Sequence, residues 1–318
     1  MKKLLKYTKI ILPLALGVFL CWYAYNQFTP EQLSQMKTYF QNVDYKYMWL
    51  SVFLGFASHV SRGLRWQYTL APIGYSPKKL NMIMAVFIGY LLNLTIPRSG
   101  EVSRALLITR YDDVPFDKSF GTIISERIID LLILSLFITT ALIVQFDLIQ
   151  SFLLEKIPLE RLIWIFSVGG SLFLGFIWWI IKSKHPFAYR INKLFSGLKE
   201  GVLSILKLKN KWSFIGHTIF IWLMYFLMFY VVFFSLAETS SIQISDVITS
   251  FVVGSFAVAF TNGGFGAYPL FIAEVLFIFG ISFTIGTTLG WVMWIAQFLM
   301  ILIFGLLSFI LLPIVNKK

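Results

Sequence analysis

Apolar residues fall in long stretches along the chain, at about 10–26, 47–61, 80–97, 119–145, 162–181, 212–236, 247–262, 267–281 and 284–312. A helix needs about 20 apolar residues to cross the roughly 30 Å hydrocarbon layer, and several stretches are that long. The short alternating segments of a membrane β-barrel are absent from the pattern. The stretches therefore predict an all-α integral membrane protein. Aromatic residues gather at their ends, as with Tyr45, Tyr47 and Trp49 or Trp178 and Trp179, where a membrane interface favours them. The first stretch follows Lys2, Lys3, Lys6 and Lys9 as a signal peptide would, but it ends in Trp22, Tyr23 and Tyr25 rather than small residues. It reads as a retained span.

Basic residues set the orientation. If every stretch crosses once, the strongly basic segment 182–211 falls outside, against the positive-inside rule. The conflict disappears if 80–118 enters and returns on the cytoplasmic side and 247–281 enters and returns on the other. Segments 1–9, 62–79, 110–118, 182–211 and 317–318 then place 20 basic residues inside, against 4 outside in 27–46 and 146–161. The expectation is six full spans plus two broken re-entrant helical hairpins in a single transmembrane domain, 1–318, of the cell (inner) membrane, with both termini cytoplasmic. Residues 10–145 and 162–312 then read as two pseudo-repeats of opposite orientation, an inverted-topology plan in which broken helices meet near the midplane.

Composition narrows the function. Hydrophobic residues make up 58% of the 318 and charged residues 13%, so lipid is the natural solvent. The net charge of +12 sits at the ends of apolar stretches, and no nucleic-acid module accompanies it. Cys21 is the sole cysteine, and the three histidines show no ligand spacing, so neither a disulfide framework nor a metal or other cofactor is expected. Between 182 and 211, Phe187, Ile191, Leu194, Leu198, Val202 and Ile205 recur at three and four residues among lysines. This pattern suits an amphipathic helix on an anionic membrane surface, and a solvated linker is the alternative.

Three motifs carry candidate chemistry. In Pro97-Arg98-Ser-Gly100-Glu101-Val-Ser-Arg104 the proline breaks the helical ladder, and Arg98, Glu101 and Arg104 follow at intervals of three. One glutamate leaves surplus positive charge, which suits a phosphate gripped by guanidinium. Anchoring at the cytoplasmic surface is the other reading of the two arginines. In Glu126-Arg127-Ile-Ile-Asp130 the carboxylates share a helix face, where they could balance Arg98, Arg104 or the more distant Arg62 and Arg65, in either a structural ion-pair network or proton coupling. In Asn262-Gly263-Gly264-Phe-Gly266, followed by Pro269 and Glu274, the glycines permit unwound backbone shielded within the protein, and the following helix offers its positive end to an anion. Gly286 and Gly290 have the spacing of close helix packing.

These motifs resemble the lysylphosphatidylglycerol synthase transmembrane family, the flippase-like region at the N-terminus of the multiple peptide resistance factor. The resemblance rests on 97–104, on 126–130 and on the glycine cluster, and it extends over nearly the whole chain. It implies a membrane protein that moves or presents a phospholipid or lipid-linked phosphate. Lysyl-lipid synthesis does not carry over, because no soluble transfer domain is present in these residues, and no catalytic motif marks an enzyme. Two rivals stay open: an accessory subunit that binds lipid or a partner membrane enzyme, and an intramembrane lipid transferase.

Overall fold

The computed structural model describes residues 15, 17–26, 28–96, 99–148, 150–151, 159–183, 185–189, 192, 205, 207–261 and 263–317. Its helices are α1 (17–26), α2 (Pro30–Asn42), α3 (Tyr45–Leu70), α4 (Lys79–Thr95), α5 (Gly100–Asp112), α6 (Phe116–Val144), α7 (Leu159–Lys182), α8 (Lys211–Tyr230), α9 (Ile244–Phe260), α10 (Ala267–Ile278) and α11 (Phe283–Val315). No strand occurs among the described residues. The all-α membrane fold is as expected, and α6, the stretch Lys211–Ser235 and α11 are each long and apolar enough to cross a membrane. The chain divides into two compact units, 1–123 with 208–318, and 124–207.

In the larger unit α3 and α8 run antiparallel along a seam of polar rungs. Asp44 N donates to Ser235 O (2.9 Å), Ser51 Oγ to Met228 O (2.7 Å), Ser58 Oγ to Ile221 O (3.3 Å) and Arg65 Nη1 to Thr218 Oγ1 (3.0 Å). Residue numbers rise on one helix as they fall on the other, and each hydroxyl satisfies a group that lipid could not. The pattern ended the second stretch at 61, yet α3 continues to Leu70 because Arg62 and Arg65 are buried within it. This corrects the inside tally, which drops from 20 to 18 once those two leave the loop.

Two hairpins lie along α11. In the first, α4 stops at Thr95 and α5 starts at Gly100, so the break falls where Pro97 was expected to make it, although Pro97 and Arg98 themselves lie outside the described residues. The limbs touch so closely that a β-carbon on Gly100 would collide with Gly89 O and lie 2.6 Å from Asn93 Nδ2. Asn93 Oδ1 instead accepts from Gly100 N at 2.7 Å, which satisfies one of the orphan donors at the start of α5. In the second hairpin, Gly263, Gly264 and Gly266 all take positive φ (63°, 79° and 72°) between α9 and α10. That backbone is costly for residues with a β-carbon.

The hairpins open at opposite ends of α11. The base of the first is tied to the end of α11: Lys78 N and Asn81 Nδ2 donate to Asp112 (2.9 Å each), and Asn316 Nδ2 donates to Asn81 Oδ1 at 2.8 Å. The second returns through Gly280 directly into Ser282, which caps the start of α11. Small residues seat both hairpins on this helix. β-Carbons on Gly286 and Gly290 would fall 2.8 Å from Ala273 Cα and 2.6 Å from Pro269 Cα, and one on Gly305 would lie 2.8 Å from Leu91 Cβ. The close packing expected of Gly286 and Gly290 is thus present. At the tips, a β-carbon on Gly263 would meet Leu94 Cδ2 at 3.1 Å.

Helix α2 had no counterpart in the apolar pattern. Its signal is a cap: Thr29 Oγ1 accepts from Gln32 N (3.3 Å), Gln32 Oε1 accepts from Thr29 N (2.9 Å), and Pro30 opens the first turn. The smaller unit holds the remainder of α6, in which Ser135, Thr139 and Thr140 donate back to carbonyls four residues earlier, together with α7. Most of 182–211 lies outside the described residues, and so does the amphipathic helix expected there.

Candidate functional site

Three arginines are almost wholly buried in the larger unit. Arg62 and Arg65 on α3 are 1% and 0% exposed, and Arg104 on α5 is 1% exposed. A charge at membrane depth costs about 2.5–3.5 kcal/mol on insertion scales, so its surroundings must compensate. Aromatic faces supply part of this. The Arg62 guanidinium lies 5.7 Å from the Tyr225 ring, Arg65 lies 5.1 Å from Phe214, and Arg104 lies 4.4 Å from Trp66. Such contacts contribute about 0.5–2 kcal/mol each, which offsets part of the cost.

Local packing fixes where Arg104 goes. Its stem passes over Gly89, where a β-carbon would stand 2.9 Å from Arg104 Cγ. Trp66 is held in turn, its Nε1 donating to Thr122 Oγ1 at 2.8 Å, and that hydroxyl donates to Ser119 O at 2.7 Å. Around Trp66 stand Met82, Ala85, Ala105 and Ile108, all buried. Arg104 therefore approaches α3 one residue beyond Arg65, and α5 is the element that carries it there. Arg104 is thus enclosed by the protein rather than exposed at its surface. Arg98 lies outside the described residues.

The remaining sequence candidates are spread more widely. Glu101 is half-buried in the first turn of α5. Gly263, Gly264 and Gly266 form the tip of the second hairpin, where Trp294 Nε1 donates to Gly263 O at 2.9 Å; Asn262 lies outside the described residues. Glu274 is exposed on α10. In the smaller unit Glu126 and Asp130 are buried, at 0% and 7% exposure, and Arg127 Nη1 sits 3.6 Å from Asp130 Oδ2.

The sequence offers Arg62 and Arg65 only as charges for Glu126 and Asp130 to balance and not as binding residues, because a cation at the edge of an apolar run reads as a loop residue. A usable signal existed in the helical spacing of Ser51, Gly55, Ser58, Arg62, Arg65 and Thr69, which puts small, polar and basic residues on one side of a helix. Next to Arg62 on the same helix is a second polar group that this spacing marks. His59, 3% exposed, stacks on Tyr90 (4.1 Å between centroids, 11° between planes) and meets Tyr225 edge-on. The Tyr225 hydroxyl lies 3.4 Å from His59 Nδ1 and 3.1 Å from the Tyr90 hydroxyl. Lower on the seam, Ser61 Oγ lies 2.8 Å from His217 Nδ1.

A guanidinium group is chemically able to bind an oxyanion by paired hydrogen bonds. Comparison with known proteins gives the family. The family model of the lysylphosphatidylglycerol synthase transmembrane region matches residues 10–305, and the chain belongs to that family. A UPF0104 membrane protein of Methanocaldococcus jannaschii is 24% identical over 134 residues, 41% of this chain and 39% of its own length. The glycosyltransferase AglD of Haloferax volcanii is 33% identical over 72 residues, 22% of this chain and 12% of its own. The chain thus spans well under half of either relative. No solved structure matches the chain.

Proposed function

We propose that this member of the family moves a phospholipid or lipid-linked phosphate across the membrane, holding the phosphate at the buried arginines. The observation that carries this reading is Arg104, 1% exposed on a hairpin limb and 4.4 Å from the Trp66 ring. In this reading Arg104 and Arg98 grip the phosphate, Glu101 balances part of their charge, and the glycine tip forms the opposing gate. Glu126 and Asp130 are assigned to charge balance within their own unit, with Arg127 as the paired base, and Asn262 and Glu274 to the gate side. The lipid tails stay in the bilayer while the headgroup passes a polar track. Both termini are assigned to the cytoplasmic side.

The two hairpins support the reading because they open at opposite ends of α11 and meet at Leu94 and Gly263. Two gates facing opposite sides and sharing one centre are what alternating access requires. The pseudo-repeats 10–145 and 162–312 would supply them by inverted symmetry.

A second reading is favoured by the stretch shared with a protein named as a glycosyltransferase. Here the chain presents a lipid-linked substrate to a partner membrane enzyme and moves nothing by itself. Purified protein in vesicles carrying a labelled anionic phospholipid separates the two. Labelled lipid changing leaflet supports translocation, whereas inert vesicles together with a copurifying enzyme support presentation.

A further inference from the structure

We propose that Asn316 is the catch of a latch at the base of the first hairpin: it holds the end of α11 against α4, and its release lets the two part there while the hairpin itself stays closed. The inference does not depend on what the arginines bind. In the translocation reading, the parted base is the opening on that side. Hydrogen bonds at the base fall into two sets. Within the hairpin, Asp112 of α5 accepts from Lys78 N and from Asn81 Nδ2 of α4, at 2.9 Å each. Between the hairpin and α11, Lys78 Nζ and Asn81 Nδ2 donate to Asn316 Oδ1 at 3.1 Å each, and Asn316 Nδ2 donates back to Asn81 Oδ1 at 2.8 Å.

The second set converges on one side chain. Asn316 is the C-cap of α11 and half-buried, so a single turn of its amide toward water gives up all three bonds. The first set does not involve Asn316, and Asn93 Oδ1 joins the limbs again at Gly100 N (2.7 Å), so the hairpin keeps its own ties. The turn that carries the catch is weakened from within, because Pro313 has no N–H to give to Phe309 O. Beyond the catch the hairpin meets α11 through apolar groups: Leu312 packs with Met84 and Ile88, the rings of Phe87 and Phe304 lie 5.6 Å apart, and Gly305 sits on Leu91. Such contacts are non-directional and add no bond that must be broken for the surfaces to part.

The second hairpin is built differently. Its base runs through Gly280 straight into Ser282, whose hydroxyl accepts from Ile285 N at the start of α11 (3.4 Å), so the main chain itself fixes it to that helix. One hairpin is thus bound to α11 by its own backbone, and the other is bound at its base by hydrogen bonds that one residue controls. Asn81 is 0% exposed, so release of Asn316 leaves its carbonyl oxygen in need of a new partner, and water entering the base supplies one. Parting and wetting therefore occur together. An amide pair suits a latch, because water can replace each of its bonds at small net cost.

Thiol reactivity tests the latch. In a Cys21→Ala background, the full chain in detergent carries either Met84→Cys or Met82→Cys, and the rate of modification by a charged methanethiosulfonate is followed. Met84 is 4% exposed and packs with Leu312 of α11, whereas Met82 is 0% exposed and belongs to the core around Trp66, Ala105 and Ile108. Two residues apart on α4, they lie on opposite sides of the helix. Adding Asn316→Ala should speed modification at 84 at least about tenfold, in line with the loss of its hydrogen bonds, and leave the rate at 82 unchanged. Asn316→Ser, which keeps a hydroxyl, should speed 84 less. A merely structural role would loosen both positions alike. Equal acceleration at 84 and 82, an unchanged rate at 84, or loss of folded protein in both Asn316 variants would each overturn the latch, and none of these outcomes bears on the arginine site.

Discussion

Leu94 closes on Gly263, so that a β-carbon at the glycine would stand 3.1 Å from Leu94 Cδ2. The two residues are the tips of helices from opposite ends of the protein, and their contact makes one centre out of two hairpins. Gly263 is held on its other side by Trp294, and the neighbouring Gly266 lies against Gly17 and Cys21 of α1.

Substitution at this centre should cost both stability and movement. Gly266→Ala places a β-carbon against Gly17 O at φ 72°, so a destabilisation of about 1–3 kcal/mol is expected. Gly121→Ala, in open space inside α6, should not destabilise and should gain up to about 1 kcal/mol. Thermal unfolding in detergent reads both, and equal melting temperatures would contradict the tight tip.

The base of the first hairpin offers a second test. Asn81 is 0% exposed and exchanges hydrogen bonds with Asn316 (2.8 and 3.1 Å) while donating to Asp112. Asn81→Leu leaves those partners unsatisfied and should destabilise by about 1–3 kcal/mol. Asn316→Ala, at the less buried partner, should cost less. A larger loss at Asn316 than at Asn81 would contradict this assignment of the network.

Opposite hairpin openings make a topological prediction. In a Cys21→Ala background, cysteines at 113 and 316 should react with an impermeant reagent from one side of the membrane, and a cysteine at 280 from the other. Labelling of 113 and 280 from the same side would contradict the arrangement around α11.

Much of this fold is legible in the sequence, and the misses have physical causes. The two hairpins show because Pro97 and the glycines at 263, 264 and 266 interrupt runs that are otherwise apolar. The contact of Asn81 with Asn316 joins residues 235 apart, and no local pattern announces it. Arg62 and Arg65 were misplaced because hydropathy treats a cation as an end of a span, whereas aromatic rings from α8 let α3 carry them through its interior. Arg104 and the three tip glycines were legible as candidates, since charge and broken helix at membrane depth are both costly without a purpose. The polar group around His59 depends on rings from three helices, and a scan along one chain does not assemble it.

Lipid movement in vesicles carrying Arg104 variants tests the central claim most directly. Unchanged protein, Arg104→Lys and Arg104→Gln are reconstituted at equal folded levels with a labelled anionic phospholipid, and the rate of leaflet exchange is measured. Lysine keeps the charge but not the planar fork, so partial activity is expected. Glutamine removes the charge, and the rate should fall at least about tenfold, in line with losing one charged hydrogen bond worth about 1.5–3 kcal/mol. Exchange by Arg104→Gln at the unchanged rate would contradict the assignment of phosphate to the buried arginine.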